Sequence, residues 1–362
     1  MRLVTFGEVM LRLAPEEFLR LSQALPGRLE ATFGGGEVNV AVSVAQQGGE
    51  AAFATVLPDN VVTDAFEREL RRMRVDASLV KRSPVGRFGV YFVETGANQR
   101  AGTVTYDREQ SSIALTPPAE YEWDAIFDRG TWFHITGITP AVSALSAASA
   151  IHALKLAREK KLTVSCDLNF RKKLWRWKSG TSPIELARQT MREILPFVDL
   201  VIANEEDAEM CLGIESAASD VEAGELNLDG YARVGREIVR QFGNVSRVAI
   251  TLRESISASH NNWGALLYDA AEDAVHFAPT ADGRYRPYEI RNIVDRVGAG
   301  DSFAGGLIFA LNTRGLDDAA TAVRYAAAAS CLKHSIKGDF NYATRAEIES
   351  LMAGGGSGRV QR

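Results

Sequence analysis

The chain has little of what marks a metal, redox or membrane protein. Its three cysteines, Cys166, Cys211 and Cys331, are widely spaced and form no CxxC pair, which argues against a zinc knuckle and a disulfide framework. A reducing cytoplasm is therefore the expected compartment. The five histidines, His134, His152, His260, His276 and His334, show no paired metal spacing and are expected to be packing or surface residues. No apolar run approaches the ~18 residues of a spanning helix, and Met1-Arg2-Leu3 leads directly into the strand-like Val4-Thr5-Phe6, so neither export nor membrane embedding is expected. A large excess of either sign of charge is missing as well: a formal net charge of -5 offers no electrostatic footprint for nucleic acid or an anionic membrane. There is no GxxxxGK[ST], and no HRD paired with a DFG, which sets aside P-loop and protein-kinase chemistry. Gly298-Ala299-Gly300 lacks the third glycine of a dinucleotide fingerprint, because Phe303 occupies that position.

What is present alternates. Strand-like runs at Leu3-Phe6, Ala52-Leu57, Thr131-Ile135, Leu162-Cys166, Leu200-Ala203 and Val248-Thr251 are separated by helix-like stretches such as Val38-Gln47, Asp64-Arg74, Ala144-Glu159 and Ala187-Leu195. That order predicts an α/β fold, a doubly wound and mostly parallel sheet with helices on both faces. Residues 1–346 are expected to form one such domain. Two polar, turn-rich interruptions break the alternation, at about 10–36 and 84–112, and predict a small β lid over the strand ends. Residues 347–362 are expected to be a helix end and a flexible tail, with the glycines at Gly354-Gly355-Gly356 setting its flexibility.

Chemistry is expected at the carboxyl edge of such a sheet. Ile293-Val294, the turn Gly298-Ala299-Gly300 and the helical spacing of Phe303, Ala304, Leu307, Ile308 and Leu311 read as strand, glycine turn, helix. The first N–H groups of that helix suit an anion such as phosphate, and Asp301 stands beside it as a general base. An ordinary N-cap aspartate is the competing reading. Gly34-Gly35-Gly36 precedes another helix, so it either brings N–H groups and the Asn39 amide against a sugar or simply makes a tight turn. Asp167, Asn169 and Arg171 emerge at a strand end, and Arg171's planar fork suits a carboxylate. The following Lys172, Lys173, Arg176 and Lys178 read as a solvated face, since no second basic patch supports a nucleic-acid groove. Asn204 to Asp207 places acidic residues at a helix start, where they also stabilise the dipole. Arg253 follows Thr251 and suits either phosphate or a structural salt bridge. The alanine-rich Thr321–Cys331 run predicts a tightly packed helix.

These motifs carry a resemblance. Asp295 followed by Gly298-Ala299-Gly300-Asp301 resembles the D-T-x-G-A-G-D signature of the ribokinase-like (PfkB) carbohydrate kinases, with Arg296 in place of the usual threonine. Gly34-Gly35-Gly36-Glu37-Val38-Asn39-Val40-Ala41 resembles that family's G-G-x-x-x-N-x-A, and the likeness runs from Leu3 to about Ala346. The V-x-Y-x-R of Val104 to Arg108, and the D-x-N-x-R of Asp167 to Arg171 followed by Leu174-Trp175, resemble its 2-keto-3-deoxygluconate kinase branch. The resemblance implies ATP-dependent phosphorylation of 2-keto-3-deoxy-D-gluconate at the C6 hydroxyl. Asp301 would be the base, and Gly298, Ala299 and Gly300 the anion hole. It implies substrate contacts from Gly34, Gly35, Asn39, Tyr91, Tyr106, Arg108, Asn169 and Arg171, and nucleotide contacts from Asn204, Thr251, Arg253, Gly298 and Gly300. It also implies Mg2+ organised indirectly by Asp207, which replaces the family's glutamate, and K+ near Asp295. A homo-oligomer, at least a dimer through the lid, is expected. A kinase of the same fold acting on a neutral sugar or nucleoside, and a catalytically silent sugar-acid sensor, are the alternatives. Asp301 argues against the sensor, and Arg108 with Arg171 against a neutral sugar.

Overall fold

In β1 (Arg2–Phe6), alternate side chains enter two different apolar clusters: Val4 and Phe6 pack on one face of the sheet, Leu3 on the other. A strand buried on both faces is what a sheet covered twice by helices requires. The computed structural model describes residues 1–204, 206–215 and 228–355. Glu205 and the tail from Gly356 onward lie outside the described residues, so the flexible-tail expectation falls outside them, beyond the helix Arg345–Met352.

After β1 the chain leaves for β2 (Met10–Ala14) and β3 (Glu30–Gly34), then returns as β4 (Glu50–Pro58), β5 (Val75–Asp76) and β6 (Val80–Ser83). It leaves again for β7 (Gly89–Glu94) and β8 (Thr103–Asp107), and re-enters the body as β9 (Trp132–Thr136), β10 (Thr163–Asp167) and β11 (Leu200–Ala203). The long strands β12 (Arg247–Ser257) and β13 (His260–Asp269) follow, then β14 (Ala274–Ala278), the short pair β15 (Thr280–Ala281) and β16 (Arg284–Tyr285), and β17 (Tyr288–Arg291). The main sheet runs β14-β13-β12-β11-β10-β9-β1-β4-β5, with β6 on β4 and β17 on β13. From β5 through β12 every neighbour is parallel, and only the β12–β13, β13–β14 and β13–β17 pairings are antiparallel. The expected doubly wound sheet is therefore present. Because β1 lies between β4 and β9, the chain order reverses there, and a crevice opens at the carboxyl ends of these strands.

The two interruptions supply the four strands of a second sheet, β3-β2-β7-β8, as expected. Its inner face carries Met10, Ala14, Tyr91 and Val93, with Val104, Tyr106 and Val297 packed against them. Two expectations for the main body need correction. Ile293-Val294 is not a strand: the N–H groups of Val294 and Asp295 bond the carbonyl of His334, at the end of helix Ala319–Lys333, in place of a sheet neighbour. β12 also runs six residues past Thr251, because positions 253 to 255 pair with 261 to 263 and no glycine ends the strand there. No helix of the described residues is long and apolar enough to cross a membrane.

Candidate active site

The strand ends and the small sheet enclose a cleft of about 480 Å³. Every residue singled out in the sequence as a direct ligand of sugar or nucleotide lines it: Gly34, Gly35, Asn39, Tyr91, Tyr106, Arg108, Asn169, Arg171, Asn204, Thr251, Arg253, Gly298, Ala299, Gly300 and Asp301. Asp207 lines it too, whereas Asp295 does not.

At its centre the helix Ala299–Leu311 begins at Gly298, which takes φ 82°. A side chain there would meet the carbonyl oxygen of Asp339 at 2.1 Å as well as adopting a strained backbone, so glycine is required twice over. At Gly300 a Cβ would meet nothing within 4 Å, which leaves open space over the first helical turn, where N–H groups lack intrahelical partners. Asp301 is not the cap of this helix. It sits inside the first turn, and its Oδ2 accepts from Asn39 Nδ2 at 2.7 Å. Burial pushes its carboxyl up to about 6, Asn39's hydrogen bond opposes this, Asp339 adds to it, and Arg171 and Lys333 pull it back down.

Asn39 is held in turn. Its Oδ1 accepts from Gly35 N at 3.3 Å, and its Nδ2 also lies 3.4 Å from Asp339 Oδ2. The absent side chains of Gly34 and Gly35 are structural necessities, since a Cβ would fall 2.1 Å from Asp339 Oδ2 and 2.2 Å from the Glu8 carbonyl oxygen. Beneath this shell the buried Arg12 bridges Asp339 at 2.7 Å and Asp295 at 2.5 Å. Asp295 also accepts from the N–H groups of Val297 and Gly338. The carboxylate implied for a monovalent cation thus has its oxygens engaged by protein donors, and it braces the glycine turn.

The end of the cleft beneath the small sheet is acidic and basic together. Arg108 is buried and paired with the equally buried Glu8, with Tyr106 stacked 5.4 Å from the guanidinium. The cation that the resemblance places on the substrate at Arg108 is thus paired with a carboxylate of the protein itself. Glu8 Oε1, Arg108 Nε and Asn169 Oδ1 are buried without hydrogen-bond partners among the described residues, a set of polar atoms suited to a polyhydroxy ligand. Tyr91, also buried, has its phenol pushed up by burial and by Asp339. Arg171 is exposed, its guanidinium donates only to the Phe170 carbonyl, at 3.1 Å, among the described residues, and its charge reaches Asp167, Asp207 and Asp301. Asp167 is buried next to Asp207 and Asp301, and its carboxyl is raised well above the usual range, first by burial.

At the opposite end, Asn204 and Asp207 cap each other. Asn204 Oδ1 accepts from Asp207 N at 3.0 Å, while Asp207 Oδ2 accepts from Asn204 N at 3.2 Å. Asp207 Oδ1 holds Phe170 N at 2.9 Å, so its carboxylate is occupied by two amides. The helix-start reading describes this pair, and no group of three or more His, Cys, Asp or Glu suited to a metal exists among the described residues. Arg253 is exposed and forms no ion pair among the described residues. Sequence reasoning missed Glu8, Arg12, Asp339, Asn261, Trp263 and Arg296 as site residues, while Asp167 was placed at its strand end without a role. The ion partners lie as far apart as 327 positions, beyond any local pattern, although a charged residue in the alternating β2 was a usable signal for Arg12.

The family described as pfkB family carbohydrate kinase matches residues 1–233 and 259–341. The stretch between the two matches, 234–258, contains Arg253 and all of β12. A solved structure of 2-dehydro-3-deoxygluconokinase from Thermotoga maritima is 42% identical, with a TM-score of 0.87, covering 98% of this chain and 99% of that one. The 2-dehydro-3-deoxygalactonokinase of Haloferax volcanii is 31% identical over 357 residues, 98% of each chain. The 2-dehydro-3-deoxygluconokinase of Bacillus subtilis is 27% identical, over 84% of this chain and 81% of its own length.

Proposed function

Because the chain belongs to the pfkB family of carbohydrate kinases, we propose that it transfers the γ-phosphoryl of ATP to the C6 hydroxyl of 2-keto-3-deoxy-D-gluconate. The observation that carries this reading is the carboxylate of Asp301, which lies between the open glycine turn and the polar end of the cleft and is fixed there by Asn39. In the reaction, Asp301 accepts the C6 hydroxyl proton as that oxygen bonds to the γ-phosphorus. The bond from phosphorus to the β–γ bridging oxygen breaks, and ADP leaves. The N–H groups at Gly298-Ala299-Gly300 face the charge that develops on the transferred group. A pKa near 6 suits the role: the carboxylate is ionised at neutral pH yet basic enough to take the proton.

Sugar-acid selectivity is supported by the names of the relatives and by Arg171, an exposed guanidinium in the cleft with no carboxylate partner among the described residues. Mg2+ fits as an ion carried by the nucleotide. With Asp207 engaged by amides, Asp167 and Glu206 are the cleft carboxylates that its waters would reach, and the ion would neutralise phosphate charge. A second copy pairing through the small sheet belongs to the same reading, since β8 is its outermost strand. So does a cytoplasmic location, where ATP is supplied.

The test is a panel of sugar acids and neutral sugars assayed for ATP-dependent phosphorylation. 2-Keto-3-deoxygluconate should be turned over with the highest kcat/KM. Equal or better turnover of fructose or ribose would replace the sugar-acid reading by the neutral-sugar one, and no turnover of any sugar would favour the sensor. A monomer by light scattering would remove the pairing alone.

A further inference from the structure

We propose that Asn261 and Trp263, on the hairpin β12–β13, are nucleotide-phosphate donors of this kinase, and that Arg296 is the residue that positions them. No glycine stands between Thr251 and Gly264, and β12 runs on past Thr251 into this hairpin. Antiparallel pairing joins Arg253 to Trp263 and Ser255 to Asn261, so by the two-residue period Arg253, Asn261 and Trp263 share one face of the hairpin. All three line the cleft, as does the glycine turn at Gly300.

The hydrogen bonding says what that face offers. Arg296 donates from Nε to the Ala258 carbonyl at 2.9 Å, from Nη2 to the Ser257 carbonyl, and from Nη2 to Asn261 Oδ1 at 2.9 Å. A guanidinium has no acceptor, so the Asn261 oxygen must be the atom facing Arg296, and its NH2 group is left to point elsewhere. Asn261 is 1% exposed and Trp263 4% exposed, yet Asn261 Nδ2 and Trp263 Nε1 have no partner among the described residues. A buried donor without an acceptor is costly, and two of them on one wall of a cleft call for an acceptor-rich ligand. Trp263 is held by an edge contact with the ring of His334, whose Nδ1 is anchored to the Ser330 carbonyl.

With Arg253 and the first-turn N–H groups, this end of the cleft presents donors and positive charge, which is complementary to phosphate oxygens rather than to the mixed edge of a base. Arg253 is close enough to Arg296 to depress its basicity, after the larger effect of burial. An anion between them would relieve that repulsion. Arg296 stands where the resemblance expects threonine, and it fastens the hairpin tip through the carbonyls of Ser257 and Ala258. The arginine-fastened hairpin thus supplies side-chain donors to this wall of the cleft.

The proposal rests on the kinase reading, and the experiment separates the two. Binding of MgADP and of 2-keto-3-deoxygluconate is measured by calorimetry, and binding of adenosine by ligand-observed NMR, on wild type and variants. Asn261→Leu should weaken MgADP about tenfold to a hundredfold, the range for a lost hydrogen bond to a charged group, and leave sugar-acid binding unchanged. Asn261→Asp keeps an oxygen for Arg296 but replaces the donor with a carboxylate oxygen. It should weaken MgADP further and leave adenosine unaffected. Trp263→Phe should weaken MgADP several-fold. Arg296→Met should raise KM for ATP with a much smaller change in kcat, and Arg296→Lys should recover part of the loss. Wild-type affinity for MgADP in Asn261→Leu and Trp263→Phe overturns the assignment, and so does an equal loss for nucleotide and sugar acid. A wild-type protein that binds no MgADP overturns the kinase reading itself.

Discussion

Asn39 and Asp301 are 262 positions apart in the chain, and their side chains meet at 2.7 Å in the centre of the cleft. This contact joins the two glycine-rich segments into one site and sets the proton affinity of the carboxylate. The amide of Asn39 stabilises the ionised form, against burial, which holds the carboxyl near 6. Replacing Asn39 with alanine should therefore move the acid limb of kcat/KM from about pH 6 to higher pH, in addition to lowering the rate. pH–rate profiles of the two proteins check this, and an unmoved limb would show that Asn39 does not tune Asp301.

Asp301 itself ties activity to a stability cost. Its folded pKa of about 6 lies above the ordinary 3.8, so the stability present at low pH is lost as pH rises from about 4 through 6. Asp301→Asn removes the charge and keeps an oxygen for Asn39. Turnover should fall by about 10²–10⁴. The melting temperature at pH 8 should rise relative to wild type, with little difference at pH 4. A variant that is inactive but equally stable at both values would contradict the desolvation account.

The pair Glu8–Arg108 makes a different demand. Its side chains are 2% and 7% exposed, so removing one partner leaves a buried charge. Arg108→Ala should cost about 3–5 kcal/mol of stability in urea denaturation, whereas Arg108→Met combined with Glu8→Gln should recover much of it. If Arg108→Ala unfolds at the wild-type urea midpoint, the pair is not the buried brace inferred from its geometry.

The contrast between Arg108 and Arg171 shows what was legible in the sequence. Period and glycine placement announced the sheet, the two glycine turns and the strand-end residues, because these follow from local backbone rules. Asp301 and Asn39 were legible as motif members, although the capping alternative for Asp301 was settled only by where the helix begins, at Gly298. What could not be read was pairing. Arg108 is a motif cation in the sequence and is paired with Glu8 100 positions away, and Arg12 looks like a strand residue and anchors Asp295 and Asp339. Asn204 and Asp207 show the reverse case, in which acidic residues after a strand announced a helix start and the structure contains a reciprocal cap. Burial and partners depend on the folded chain, so the charge available to a ligand was the least legible quantity of all.

Glu37, within the first glycine segment, gives a prediction independent of catalysis. Its Oε1 accepts from Thr136 N, Thr136 Oγ1 and Thr139 Oγ1, while Oε2 is buried without a partner among the described residues. Burial pushes its carboxyl up to about 7, opposed by those hydrogen bonds. Its contribution to stability is therefore complete below pH 4.5 and lost as pH rises through 7. The melting temperature of Glu37→Gln minus that of wild type should grow between pH 5 and pH 8. A difference that stays constant over this range would mean that the buried carboxyl does not titrate there.

Arg171 carries the substrate prediction. Its guanidinium is exposed in the cleft, bonded only to the neighbouring Phe170 carbonyl, and close enough to act on Asp167, Asp207 and Asp301. Being exposed, it can be removed with little effect on stability, unlike Arg108. A 2-keto acid brings a carboxylate that a neutral ketose lacks, and hydrogen bonds to charged groups contribute about 1.5–3 kcal/mol. Arg171→Ala should accordingly lower kcat/KM for the sugar acid by about one to two orders of magnitude and leave any activity on a neutral ketose nearly unchanged. Arg171→Lys keeps the charge but not the two-pronged geometry, and should fall between wild type and Arg171→Ala. Kinetics of the three proteins on an acid and a neutral sugar decide the matter. If Arg171→Ala lowers both activities by one factor, the arginine orders the cleft without reading the carboxylate, and selectivity for the sugar acid must come from the polar atoms around Glu8 and Asn169.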